Sequence, residues 1–214
     1  IVDLALRDFR LSGVELEGEA RERYTVISDA LAQASQKFSE NALDAVDTWA
    51  LHITDPTQLK GIPADVVDTA RTTAQAAGKE GWTLTLKMPC YLPVMQHARD
   101  RRVREQLYRG YGTIASDQGD TRYDNSQLIE QLLTLRAEEA GLLGFDSFAD
   151  KRLETRMADS PAQVLEFLRE LAARARPYGE RDLAELREFA ARELGIDTLE
   201  PWDIPFASER LREA

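Results

Sequence analysis

Apolar residues along this chain recur mostly in steps of three and four, the spacing that gathers them on one side of an α-helix. From Gly18 to about Leu51 the step is kept by Tyr24, Ile27, Leu31, Ala34, Phe38, Ala42, Ala45 and Trp49, with Glu, Arg, Asp, Ser, Gln and Asn between them. That pattern predicts one long amphipathic helix with a single stripe to bury. Asp55-Pro56 restarts the chain in a short helix closed at Gly61. Pro63 then opens a helix with Val66, Val67 and Ala70 on its apolar side and Gly78 as its stop. Proline suits the first helical position and glycine the left-handed residue after the last turn.

Further on, Asp100 is placed to cap a helix whose stripe is Val103, Leu107, Tyr111 and Ile114. Asp117 to Asp124 is polar and reads as a loop, with Asp124 capping the next helix. Leu128, Leu132, Leu135 and Leu142 line that helix and Gly144 marks its end, and a shorter one follows from about Ser147. Ser160, Pro161 and Gln163 form a capping box that opens an amphipathic segment running to Gly195. Pro177, inside it, must kink or break the helix.

One stretch departs from this period. Trp82, Leu84, Leu86 and Met88 alternate with Thr83, Thr85 and Lys87, which predicts a strand over 82–88. Pro89 ends it and Pro93 opens the helix that follows. A lone strand is unstable, so it pairs either with an extended segment near Leu51 to Thr54 or with a strand outside this sequence. The fold class is therefore all-α with one short strand or small β element around 82–88. Residues 1–214 read as a single helical segment with a possible subdivision near 79–92. No internal repeat or low-complexity linker divides it.

Charge narrows the partners. Lys and Arg total 27 against 38 Asp and Glu, a net charge of -11, which argues against nucleic acid or an anionic membrane as the main partner. No apolar run is long enough to span a bilayer. The single cysteine, Cys90, cannot form an internal disulfide, so a reducing cytoplasm is the expected compartment. The first residues, IVDLALRDFR, lack an initiating Met and carry Asp3, Arg7 and Asp8, and the Ser208-led pattern stops at Ala214 without a closing Gly or Asn. Both ends suggest a piece of a longer chain, not a complete domain.

Candidate chemistry is sparse. His52 and His97 lie 45 residues apart, and neither has a His or Cys at metal-ligand spacing. A remote pairing of both with carboxylates competes with ordinary surface or core roles, and His97 is expected to hydrogen-bond locally. Cys90 with His97 can be drawn as a nucleophile and base, against the plainer reading of Cys90 as a small packing residue. No phosphate-binding glycine loop or nucleophile elbow occurs. The run RDRRVRE offers Arg99, Arg101, Arg102 and Arg104 either to a substrate carboxylate or, more ordinarily, as a solvated helix face. Glu138, Glu139, Asp150 and Glu154 are read as solvated-face residues.

The larger pattern carries more. The stretches LALRDFRLSGVEL, FSENALDA, GWTLTLKMPCYLPVM, YRGYGTIASDQG, DNSQLIEQLLTLRAEEAGLLGFDSFAD and PWDIPFASE, in this order, resemble the oligopeptidase A branch of the thimet oligopeptidase family. The resemblance runs over essentially the whole chain. It implies an almost wholly helical zinc metallopeptidase that hydrolyses short peptides in a deep channel. In that family a His-Glu-x-x-His helix and a further Glu hold zinc, and the motif Glu activates water. That motif is absent here, so no catalytic, cofactor-binding or metal residue is assigned. The resemblance implies that zinc and the catalytic half lie C-terminal to this sequence, and that this part is channel wall, inactive alone.

Within the resemblance, Trp82 to Met95 corresponds to the family's strand and turn, Asp124 to Phe148 to a helix and aromatic corner, and Trp202-Asp203 to the passage toward the catalytic half. Ile114 stands where an Arg is expected before Ala-Ser, which favours packing there. A non-catalytic helical binding or scaffold module is the alternative reading.

Overall fold

The computed structural model describes residues 2–214, and Ile1 lies outside the described residues. In chain order the elements are α1 (Val2–Leu11), α2 (Gly18–Thr48), β1 (Ala50–Ile53), α3 (Ala64–Ala76), β2 (Trp82–Thr85), α4 (Met88–His97), α5 (Arg101–Gly112), α6 (Ser126–Leu142), α7 (Phe148–Leu153), α8 (Pro161–Leu194) and α9 (Ile204–Glu213). Short 3-10 turns fall at Pro56–Leu59, Thr121–Tyr123 and Pro201–Asp203. The fold is mostly helical with one small antiparallel sheet, as the periodicity predicts. No helix among the described residues is long and apolar enough to cross a membrane.

Two compact units divide the chain, residues 1–40 with 125–175 and residues 41–124 with 176–214. The divisions fall inside α2 and inside α8. The 79–92 stretch lies within the second unit.

In the first unit the apolar stripe of α2 is turned inward as its spacing requires, with Ile27 and Ala34 buried and Tyr24, Leu31 and Phe38 half-buried. Leu132 and Ala140 of α6 are buried as well. The helix cap differs from expectation. Asp120 caps the 3-10 turn by accepting from the Arg122 N–H at 3.1 Å, which moves the start of α6 to Asn125, and Asp124 closes the turn instead. Asn125 is buried and donates to the Phe38 carbonyl at 3.0 Å. α8 opens with Ser160 accepting from the Gln163 N–H at 3.2 Å, while Gln163 accepts from the Asp159 N–H at 2.7 Å.

Glu139 and Asp150 depart from the solvated-face reading, whereas Glu138 keeps to it in a surface ion pair. Glu138 takes two hydrogen bonds from Arg23 at 2.5 and 2.6 Å, and Glu139 is buried against Lys151 Nζ at 2.7 Å. Asp150 closes on its own N-cap, accepting from the Ser147 hydroxyl at 2.5 Å.

In the second unit β1 and β2 pair antiparallel, Ala50 with Thr85, Leu51 with Leu84, His52 with Thr83 and Ile53 with Trp82. Of the two partners left open for the strand, it takes the internal one. β2 ends at Thr85, not Met88, because Lys87 already caps α4 and the Lys87 carbonyl accepts from the Cys90 and Tyr91 N–H groups at 2.8 Å each. Pro89 therefore sits in the first helical turn, where its missing N–H costs nothing, and Pro93 lies inside the helix it was expected to open.

Leu84, Val94, Met95, Ala98, Val103 and Leu107 form the centre of this unit's core, with Ile53, Leu59, Ile62, Val66 and Ala70 around them. α5 comes close enough to Trp49 that a Cβ on Gly110 would lie 2.5 Å from the indole. Only glycine fits there. Pro177 does not end α8, which is continuous from Pro161 to Leu194. The residues around it are exposed, so water can satisfy the Ala173 carbonyl that proline leaves without a donor.

Candidate functional site

The best-organised polar cluster lies in the second unit, where the α4–α5 corner meets the 3-10 turn Pro201–Asp203 and α9. Its centre is Asp203, fully buried. Glu200 and Asp203 form a capping box across the turn: the Glu200 N–H donates to Asp203 Oδ2 at 3.1 Å. Two guanidinium groups reach the same carboxylate. Arg104 Nη2 donates to Oδ1 at 2.7 Å, and Arg101 donates to Oδ2 through Nη2 at 2.6 Å and to both oxygens through Nε.

Arg104 is buried along its whole side chain, and Nη1 donates to the Ala98 carbonyl at 2.7 Å and the Arg99 carbonyl at 3.3 Å, while Nε donates to the Trp202 carbonyl at 3.3 Å. Its guanidinium lies over the Phe206 ring at 4.2 Å. Burial alone would push the Asp203 carboxyl up. The bonds from Arg101, Arg104 and the Glu200 N–H overcome this and hold it below the usual carboxylate range. For Arg104 burial is the larger influence and pulls its guanidinium down from the ordinary value, against the opposing bond to Asp203.

A second cluster lies beside it. His97 ends α4, and Glu209, Arg210, Arg212 and Glu213 follow one another on α9. Arg210 Nη2 lies 3.0 Å from His97 Nδ1 and donates to Glu213 at 3.0 Å. Arginine has no acceptor, so Nδ1 of His97 takes the hydrogen bond and the ring proton sits on Nε2. Arg212 bonds Glu209, which is buried, and holds its carboxyl below the usual range.

One ligand atom each from His97, Glu209 and Glu213 can be drawn within 4.8 Å of one another, the separation a metal ion needs. The set does not fit zinc as built. Arg210 and Arg212 already pair with both carboxylates, and Arg210 occupies one of the two imidazole nitrogens.

Of the sequence candidates, Cys90 and His97 lie on one helix two turns apart, roughly 10 Å along the axis. They form no dyad. Cys90 Sγ accepts from the Thr85 N–H at 3.4 Å, and burial pushes its thiol up, away from a reactive thiolate. His52 Nδ1 lies 3.3 Å from the hydroxyl of its cross-strand partner Thr83. The two histidines serve separate networks, and His97 does not bond locally as expected, since its partner Arg210 is 113 residues away in the chain.

RDRRVRE is not a solvated face throughout, since Arg101 and Arg104 turn inward to Asp203. Arg109 with Glu105, at 2.9 Å, is the exposed i, i+4 pair that the solvated reading describes. The Asp203 knot and the His97–Arg210 bond are not visible in the sequence because each joins residues about a hundred positions apart. The signals within reach were the i, i+4 pair Glu209 and Glu213 and the Glu200/Asp203 capping-box spacing.

A helical chain drawn together by a buried arginine–aspartate knot is a structural class of protein more than a chemical one. Sequence kinship is what gives it a function class. The chain belongs to Peptidase family M3, which it matches over residues 94–214. It is 47% identical to oligopeptidase A of Escherichia coli (strain K12) over 99% of its own length and 32% of that protein's. The probable cytosolic oligopeptidase A of Arabidopsis thaliana is 38% identical over 100% of this chain and 31% of its own length. Dipeptidyl carboxypeptidase of Escherichia coli (strain K12) is 28% identical over 99% of this chain and 31% of its own. The chain thus spans about a third of the length of these relatives, and the resemblance carried by its six landmarks stands.

Proposed function

We propose that this chain is a helical, non-catalytic part of a zinc-dependent oligopeptidase of the cytoplasm, forming wall for a channel in which the whole protein hydrolyses short peptides. The supporting observation is the coverage: 99% of this chain aligns with 32% of an oligopeptidase A, so the chemistry of such a protein has most of its length elsewhere. The side chains agree with a supporting role. Both histidines are engaged in hydrogen bonds, Cys90 is a packing residue, and the strongest polar cluster ties helices together around Asp203.

On this reading residues 1–214 are a helical segment of a larger peptidase, and zinc and the His-Glu-x-x-His helix belong to the remainder of the whole protein. The partners of the whole protein are short peptides, with neither nucleic acid nor membrane among them.

The test is metal analysis of the purified 214-residue chain by mass spectrometry, together with a fluorogenic peptide assay. The expected result is no stoichiometric zinc and no cleavage. One tight zinc per chain, or zinc-dependent turnover, overturns the proposal. A gene whose reading frame beyond Ala214 encoded only further amphipathic helix, without His-Glu-x-x-His, would favour a helical binding or scaffold module instead.

A further inference from the structure

Beside the Asp203 knot lies a cavity of about 390 Å³ whose lining is unusual for an acidic chain. Arg99, Arg101, Arg104 and Arg210 contribute to its wall against one acid, Glu193. Asp203 compensates one charge behind Arg101 and Arg104, and Glu213 compensates part of Arg210. Asp100, Glu105 and Glu200 also act on Arg101 and Arg104 from outside the lining. Arg99 is exposed and makes no side-chain ion pair among the described residues. Arg210 adds an independent sign: its Nε is buried without a hydrogen-bond partner, although the other end of the same guanidinium is bonded. A buried donor of a cationic group left unmatched costs free energy until an acceptor reaches it. The rest of the wall is apolar, from Leu194, Ile196 and Phe206.

We propose that this cavity is a binding site for a monocarboxylate with an apolar body, the chemistry of the last residue of a short peptide with a free C-terminus. Arg99 and the Nε of Arg210 supply the donors, arginine being suited to carboxylates by its planar fork. Leu194, Ile196 and Phe206 take the side chain. The volume falls within the range of small-molecule sites. Binding here does not depend on the peptidase reading, since neither zinc nor bond cleavage is involved.

The test is titration of the 214-residue chain, followed by calorimetry and by amide chemical shifts, with N-acetyl-leucine, N-acetyl-leucinamide, N-acetyl-glycine and inorganic phosphate. N-acetyl-leucine is expected to bind at one saturable site, with shifts around Arg210 and Ile196. The amide, which lacks the charge, and N-acetyl-glycine, which lacks the body, are each expected to bind about tenfold more weakly or worse. Arg99→Met and Arg210→Met should each weaken N-acetyl-leucine about tenfold. Arg99 takes no part in the Asp203 knot, so its variant keeps the test open if Arg210→Met fails to fold. Absence of saturable binding, equal binding of the amide, or an unchanged affinity in Arg99→Met overturns the proposal. Phosphate binding as tightly as N-acetyl-leucine overturns the assignment to a carboxylate with an apolar body.

Discussion

Replacing Asp203 with Ala would leave the Arg104 guanidinium buried beside a second guanidinium with no anion between them. Breaking a buried pair from one side typically costs about 3–5 kcal/mol, and a loss of that size is expected in urea denaturation of Asp203→Ala. Asp203→Asn keeps an acceptor for the Glu200 N–H and should cost less. The carboxylate also sets a pH dependence. Its folded value lies below the unfolded value of about 3.9, so its stabilisation is present in full above that unfolded value. It is lost as pH falls through the depressed folded value. Melting temperatures of wild type and Asp203→Asn should therefore converge between about pH 5 and pH 2, and a constant gap would show that the Asp203 carboxyl titrates alike in the folded and unfolded chain. None of this is legible locally. Arg101 and Arg104 sit in a run that looks solvated until the fold brings in a carboxylate from about a hundred residues downstream, whereas the packing role of Cys90 was legible because a lone cysteine with no local base has little else to do.

At the level of elements, the helices follow from their apolar spacing, and the misreadings cluster at proline. The stripe of α2 is buried where a period of three and four puts it, because one continuous helix has one face to hide. Pro93 reads as the helix opener because a proline costs nothing only in the first turn, but Pro89 occupies that turn and Pro93 lies inside α4, where its missing N–H leaves the Pro89 carbonyl without a helical donor. The Lys87 cap decides between them. Pro177 reads as a kink or a break in α8, and the break does not occur: the helix continues through an exposed region where the orphaned Ala173 carbonyl meets water. The helix still bears the proline's penalty, about 3 kcal/mol relative to alanine in a helix interior, reduced by the stiffer unfolded chain that proline provides. Pro177→Ala is expected to stabilise the chain by about 2 kcal/mol, seen as a higher thermal midpoint in far-ultraviolet circular dichroism with unchanged helix content. A lower midpoint would mean that the proline is accommodated by a bend the rest of the chain depends on.

For the whole molecule, two opposed surface properties set its behaviour in solution. The first half of α8 carries Phe167, Leu168 and Leu171 in helical register, and all three are at least half exposed. Exposed apolar stripes of this kind favour association. The net charge of -11 opposes it, because two copies repel each other before their apolar faces meet. Salt separates the two effects, since the Debye length shrinks from about 30 Å at 0.01 M to about 8 Å at 0.15 M while apolar attraction is untouched or strengthened. Self-association of the 214-residue chain, followed by sedimentation velocity, is therefore expected to rise between those two salt concentrations. It should fall back when Leu168 and Leu171 are both replaced by Glu, a change on exposed positions that leaves the buried residues of α8, Leu186 and Ala190, in place. Association that weakened with salt would point to charge pairing between copies instead, and the double substitution would then have no effect.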